Sequence, residues 1–354
     1  MHPALAKLSA FRLVPVLICI AAMALCGCDG GDEPEAANGG GGGGDKPVVG
    51  FSQIGAESAW RVANTESIQS EAKTRGIDLR FTDAQQKQEN QIRALRTFIS
   101  QGVDVIAFAP VVTTGWEPVL REIMEAGIPV ILTDRAVEVS DESLYACFIG
   151  ADFIEEGRRA ARWLAEETGG EATIVELQGT PGAEPAIDRK KGFEEVIAEH
   201  AGMKIIKSQT ADFTRAKGRE VMEAFLKSAE GSQITALYAH NDDMALGAIQ
   251  AIEAAGLKPG VDIKIVSIDG IKDAFEAMAA GKLNCTVECN PLLGPQLFDL
   301  RASPPRRRLR RPPRRPAPPV RSAPRRWQRR QPPQQRRRRP RRGQCRPDAI
   351  RVRR

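Results

Sequence analysis

At 354 residues the chain is long enough for one large core or two moderate ones, and two lobes are the better expectation. Its formal charge of +6 conceals a division: residues 301–354 hold 23 Arg and one acidic residue, a net of +22, so residues 1–300 carry −16. The acidic body argues against nucleic acid as a physiological partner, and three cysteines in that body (Cys147, Cys285 and Cys289) are too few for a disulfide scaffold and lack zinc-site spacing.

In chain order, Lys7 and Arg12 precede an apolar run from Leu13 to Leu25, and Gly27 stands before Cys28. This resembles a bacterial lipoprotein signal, in which residues 1–27 are the signal peptide, Leu25-Cys26-Gly27-Cys28 the lipobox and Cys28 the lipidated first residue of the mature chain. Asp29 resembles the residue that retains lipoproteins at the inner membrane of many diderm bacteria, with the protein facing the periplasm. The apolar run is short for a membrane span, so the plain alternative is a cleaved signal with a soluble product. Residues 28–46, with an unbroken glycine run from Gly39 to Gly44, read as a flexible tether.

From Pro47 the pattern alternates strand and helix. Val48 to Ser52, Asp78 to Asp83, Val103 to Pro110 and Ile128 to Leu132 are expected strands, separated by helices from about Glu57 to Arg75, Gln86 to Ser100 and Trp116 to Ala126. A second set follows: strands near Cys147, Ala172 to Leu177, Lys204 to Ser208, Ile234 to Ala239 and Ile263 to Ile268, with helices between them. Short βα connections imply mostly parallel sheets flanked by helices, and two such sets imply two lobes with a cleft beyond the strand C-termini. The stretch Ile128-Pro129-Val130-Ile131-Leu132-Thr133-Asp134-Arg135 places a carboxylate beside a guanidinium at such a strand end. Asp188-Arg189, Asn241-Asp242 and Asp269-Gly270 bring polar groups to related positions, a pattern suited to a hydroxyl-rich small molecule.

No dinucleotide fingerprint, Walker loop, Gly-x-Ser-x-Gly or His-Glu-x-x-His is present. The reading is therefore a binding protein, not an enzyme, with no cofactor and no metal.

Val49-Gly50-Phe51-Ser52-Gln53-Ile54-Gly55, the run Gln85 to Gln91, Thr133-Asp134-Arg135, Asp188 to Phe193 and Ala239-His240-Asn241-Asp242-Asp243-Met244 resemble the periplasmic sugar-binding proteins of ABC importers. The resemblance is to the ribose-binding type, nearest the galactofuranose-binding branch, and covers about 47–298. It implies a two-lobed α/β venus-flytrap fold over 47–300 with three crossovers, near Gly150, Asp269 and Glu288. Lobe 1 is then about 47–149 plus 270–287, and lobe 2 about 150–268 plus 288–300. It also implies a monosaccharide ligand, an ABC permease with its ATPase as partners, and a membrane association through the lipid anchor.

Carried over by motif, the ligand contacts are Trp60, Arg61, Asp134, Arg135, Arg189, Phe213, Asn241 and Asp269, with Glu57, Asp83 and Gln178 as weaker candidates. Each has a structural rival: the Asp-Arg pairs as surface ion pairs, Asn241 as a helix cap, Phe213 and Trp60 as core. A sensory receptor for chemotaxis or a kinase is the alternative function.

The resemblance stops near Phe298. The family continues with a helix and an extended segment that complete the second lobe, whereas residues 301–354 contain 23 Arg and 12 Pro with no Lys. That composition supports no packed element and resembles a GC-rich gene translated in a shifted frame, which makes a nonfunctional product a further alternative.

Overall fold

The computed structural model describes residues 46–302, with the backbone alone for the last two. The signal peptide, Cys28, the tether up to Asp45 and the tail beyond Ala302 lie outside the described residues.

The first sheet has the order β2-β1-β3-β4-β5, with β1 Val48–Gln53, β2 Asp78–Asp83, β3 Val105–Phe108, β4 Val130–Thr133 and β5 Cys147–Ile149. The central strands β3 and β4 are short apolar runs covered on both faces, as a parallel sheet between helical layers requires. Three helices connect them: α1 Ala59–Thr74, α2 Gln88–Gln101 and α3 Glu117–Glu125. Phe98, Trp116, Leu120 and Ile123 pack under one face of this sheet, and Ile68 and Ala72 under the other.

The chain leaves this lobe after β5 and starts α4, Phe153–Thr168, which is capped by the Asp152 side chain. Strand β6 Glu171–Gln178, helix α5 Glu184–Ile197, β7 Gly202–Thr210, α6 Arg215–Lys227, β8 Ala236–Ala239, α7 Asp242–Ala254 and β9 Lys264–Asp269 follow. Helix α8 Lys272–Ala279 leads to β10 Cys285–Glu288, and the second sheet has the order β10-β9-β8-β6-β7. Every pairing in both sheets is parallel. The last described helix, α9 Gly294–Ala302, runs two residues into the arginine-rich segment.

The lobe boundaries inferred for 270–300 are reversed here. Strand β10 pairs with β9 in register Cys285 to Val266 through Glu288 to Asp269, so 270–288 belong to the second lobe and no crossover occurs at Asp269. The return to the first lobe comes at Cys289–Pro291, after which Leu293, Leu297 and Phe298 pack with Val49, Phe51 and Ile68. The physical reason is local: eight residues of helix between β9 and β10 make an ordinary crossover within one sheet. Among the described residues the chain therefore crosses between lobes twice. Both lobes fall in one compact unit beginning at Asp45.

Candidate ligand-binding cleft

Strand C-termini of both sheets and the starts of several helices meet between the lobes and line a small, partly open space. Its lining includes all eight of the principal sequence candidates, Trp60, Arg61, Asp134, Arg135, Arg189, Phe213, Asn241 and Asp269, together with Glu57. Asp83 and Gln178 are not among them. Asp83 ends the edge strand β2, where its carboxylate accepts from the backbone N–H of Gln85 at 2.7 Å. Gln178 ends β6 but turns toward Glu176, donating to Oε2 at 3.0 Å.

Local sequence explains much of the placement. Ser58 caps α1 by accepting from the Arg61 N–H, so Trp60 and Arg61 occupy the first turn of that helix and face inward. Asn241 caps α7, its Oδ1 accepting from Met244 N at 3.0 Å and its Nδ2 donating to the Phe213 carbonyl at 3.1 Å. Asn241 is thus the helix cap and also lines the cleft. Three lining residues have left-handed backbone: Asp134 at φ 62°, Phe213 at φ 61° and Asp269 at φ 136°. None is a glycine, and strained backbone of this kind gathers where the surrounding structure holds side chains for a purpose.

In the first lobe, Arg61 Nη2 donates to Asp134 Oδ2 at 2.5 Å and Nε to Glu57 Oε1 at 3.2 Å. Burial alone would lower the Arg61 pKa, but Asp134 and Glu57 outweigh it and hold the guanidinium above its ordinary value. Arg135 is less well served. It reaches the Val111 carbonyl at 3.3 Å, Asp134 at 3.5 Å and Glu57 at 4.0 Å, and its pKa is pulled down to about 10 by burial and then by the neighbouring Arg61.

The second lobe presents Arg189 from α5. Its Nε donates to Glu156 at 2.9 Å and its Nη1 to the His240 carbonyl at 2.6 Å, while Asp269 lies 3.6 Å away. Burial works against the charge, but Glu156 leads a set of anionic neighbours that raise the pKa above the ordinary arginine value. Burial drives the Asp269 carboxyl well upward, opposed by Arg189.

Glu156 escaped the sequence reading, since a carboxylate in the first turn of a helix looks like a surface residue. Its burial comes from the close crossing of α4 and α5: a Cβ on Gly157 would overlap the Arg189 carbonyl, and one on Gly192 the Ile154 carbonyl. Those two glycines are the signal that was available. Gly179 is a third such glycine, because a side chain there would occupy the space of the Phe213 ring.

Across the boundary the Arg135 guanidinium lies 5.3 Å from the centre of the Phe213 ring, and Trp60 Nε1 donates to the Cys289 carbonyl at 2.6 Å. The lobes are closed on one another. Three lining atoms find no hydrogen-bond partner among the described residues: Glu57 Oε2, Arg135 Nε and Asp269 Oδ2. A buried acceptor, a donor and a carboxyl oxygen left without a hydrogen bond suit a ligand carrying several hydroxyls. No group of three or more His, Cys, Asp or Glu side chains that could hold a metal ion occurs among the described residues.

A family model described as a periplasmic binding protein domain matches residues 49–293. The chain is a periplasmic binding protein. Among curated relatives, this binding protein is 56% identical over 254 residues to the galactofuranose-binding protein YtfQ of Escherichia coli, covering 71% of this chain and 80% of that one. Among solved structures it matches the periplasmic binding protein component of an arabinose ABC transporter from Shewanella sp. ANA-3, bound to α- and β-L-arabinofuranose. That match has 58% identity and a TM-score of 0.70, and covers 71% of this chain and 83% of the other. A Mycobacterium smegmatis protein in complex with β-D-fucofuranose matches with 60% identity and a TM-score of 0.70, covering 72% and 84%. Relatives named for binding rather than turnover agree with the reading of this binding protein as a non-enzyme.

Proposed function

We propose that this protein is the substrate-binding component of an ABC sugar importer, and that its cleft selects the furanose form of a monosaccharide. The observation that carries the reading is the set of buried atoms without a hydrogen bond, Glu57 Oε2, Arg135 Nε and Asp269 Oδ2, around one small space bordered by the Phe213 and Trp60 rings. Hydroxyls would complete the hydrogen bonds, and the apolar face of a sugar ring would lie against an aromatic side chain. The ligands bound to the two solved relatives, arabinofuranose and fucofuranose, are both five-membered rings.

A sugar lacking one of the required hydroxyls leaves a buried group unpaired and binds less well, which gives selectivity without chemistry. Titration calorimetry of the full chain against galactofuranose, galactopyranose, ribose and arabinose tests the assignment. Tighter binding of the furanose is the expected outcome; a folded sample that binds none of them refutes it.

The proposal extends to both ends of the chain. Cys28 is the lipid attachment site and Asp29 keeps the product at the inner membrane, supported by the lipobox-like sequence before it. Cys28→Ala should abolish incorporation of a metabolic fatty-acid probe; equal labelling of the variant and the parent rejects the anchor. The arginine-rich segment after about residue 298 arises from a shifted reading frame, supported by its 23 Arg without a single Lys. Resequencing the locus should uncover a helix and an extended segment in another frame, and intact-mass confirmation of the present tail rules the frameshift out.

A further inference from the structure

Helix α7 opens with three polar residues that serve three different places. Asn241 caps the helix and lines the cleft. Asp242 stays within its own lobe, accepting from the backbone N–H of Gly270 at 2.8 Å and of Ile271 at 2.9 Å and from Thr286 Oγ1 at 2.7 Å. Asp243 divides its two oxygens between the lobes. Oδ1 accepts from Arg215 Nε at 3.0 Å, and Arg215 Nη2 also reaches Asp273 at 2.9 Å. Oδ2 accepts from the backbone N–H of Ala59, the first residue of α1 in the opposite lobe, at 2.7 Å.

A carboxylate in the first turn of α7 has an ordinary explanation in the helix dipole and the Arg215 pair. That explanation accounts for one oxygen only. The first N–H groups of α1 have no partner within their own helix; Ser58 Oγ takes that of Arg61 at 3.2 Å, and Asp243 takes that of Ala59. The next two residues of α1 are Trp60 and Arg61, both in the cleft lining. The bond joins groups that both return to water when the lobes part, so it acts on closure alone, and it sets a negative charge at the positive end of α1.

We propose that Asp243 is a positioning residue that caps α1 from across the cleft and so sets the lifetime of the closed, sugar-holding state without touching the sugar. The inference rests on the monosaccharide reading above. Its decisive variant is Ala59→Pro. The first helical position accommodates proline, which has no N–H to donate, and the preceding Ser58 has φ −144° and ψ 159°, the extended region a residue before proline favours. The substitution removes the donor and, because the ring Cδ takes the place of the hydrogen aimed at Asp243 Oδ2, makes the carboxylate withdraw, while the chemistry of every cleft residue is unchanged.

Stopped-flow dissociation of galactofuranose from the full chain is the measurement. Ala59→Pro and Asp243→Ala should each speed dissociation about 10-fold with association changed by no more than about 2-fold, and the double variant should be no faster than either alone. The sugar-free melting temperature of Ala59→Pro should equal or exceed that of the parent, which a merely structural loss would not allow. An unchanged dissociation rate in Ala59→Pro, or additive effects in the double variant, overturns the latch. A parent that fails to bind galactofuranose overturns the sugar assignment instead. The latch is then read without sugar, from the distance between spin labels on the two lobes: Ala59→Pro shifts it to longer values if the latch exists and leaves it unchanged if it does not.

Discussion

Two arginines face one another across the cleft and are held in opposite ways. Arg189 in the second lobe is satisfied by its own lobe, with Glu156 at 2.9 Å and the His240 carbonyl at 2.6 Å, and its pKa is raised. Arg135 in the first lobe has a long bond to the Val111 carbonyl and loose ion pairs to Asp134 at 3.5 Å and Glu57 at 4.0 Å, and its pKa falls to about 10. Both are almost fully buried, so exposure does not separate them. The difference is one of partners: Arg189 belongs to the architecture that builds the cleft, whereas Arg135 is a cation whose protein partners are incomplete, the condition expected of a group that a ligand completes.

The largest test of that contrast is Arg189→Ala. Removing the guanidinium leaves Glu156 buried and uncompensated, a loss commonly worth about 3–5 kcal/mol, so the melting temperature without sugar should fall steeply and binding should fall with it. A variant as stable as the parent in thermal denaturation would place Arg189 in the same class as Arg135.

Arg135→Ala should do the reverse. Sugar affinity is expected to weaken by about 2–5 kcal/mol in calorimetry, while sugar-free stability holds or improves because a poorly compensated charge has gone. The sign follows from the pKa: a base whose folded value lies below its ordinary one gives stability only above that ordinary value and loses it as pH falls through about 10, so at neutral pH the charge opposes folding. Destabilisation without a separate loss of affinity would contradict this account.

A smaller effect is expected from Phe213→Leu, which keeps an apolar side chain but removes the ring 5.3 Å from the Arg135 guanidinium. Desolvated cation–π contacts are worth about 1–2 kcal/mol, and the loss should appear in affinity and be absent in the Arg135→Ala background. Equal losses in both backgrounds would show that the ring acts on the sugar alone.

The support behind Arg189 gives the clearest pH signature. Glu176 is buried, which would raise its pKa, but hydrogen bonds from His240, Ser208 and Lys190 bring it down to about 2. Its stabilisation is therefore complete above the ordinary 4.5 and is lost as pH falls through about 2. Melting temperatures of Glu176→Gln should lack part of the parent's decline over that window, and identical acid limbs would remove Glu176 from the account.

Most of the cleft was legible in the sequence because its residues sit where local rules put them. Apolar runs such as Val130 to Leu132 mark buried parallel strands, and the polar residues just after them emerge at the C-terminal edge. Asn241 announces a helix start and Ser58 another, and these caps carry Asn241, Trp60 and Arg61 to the cleft. The motif resemblance added Trp60, Arg61 and Phe213 to the polar groups expected there, and all three line the space between the lobes. Tertiary structure alone decided the rest. A strand's pattern does not say which sheet it joins, so the assignment of 270–288 to the second lobe waited on the pairing of β10 with β9. Glu156 became the buried partner of Arg189 only because Gly157 and Gly192 let two helices cross closely, and Asp243 met Ala59 only because the lobes closed. Neither relation lies within the reach of local sequence, since both depend on contacts between segments far apart along the chain.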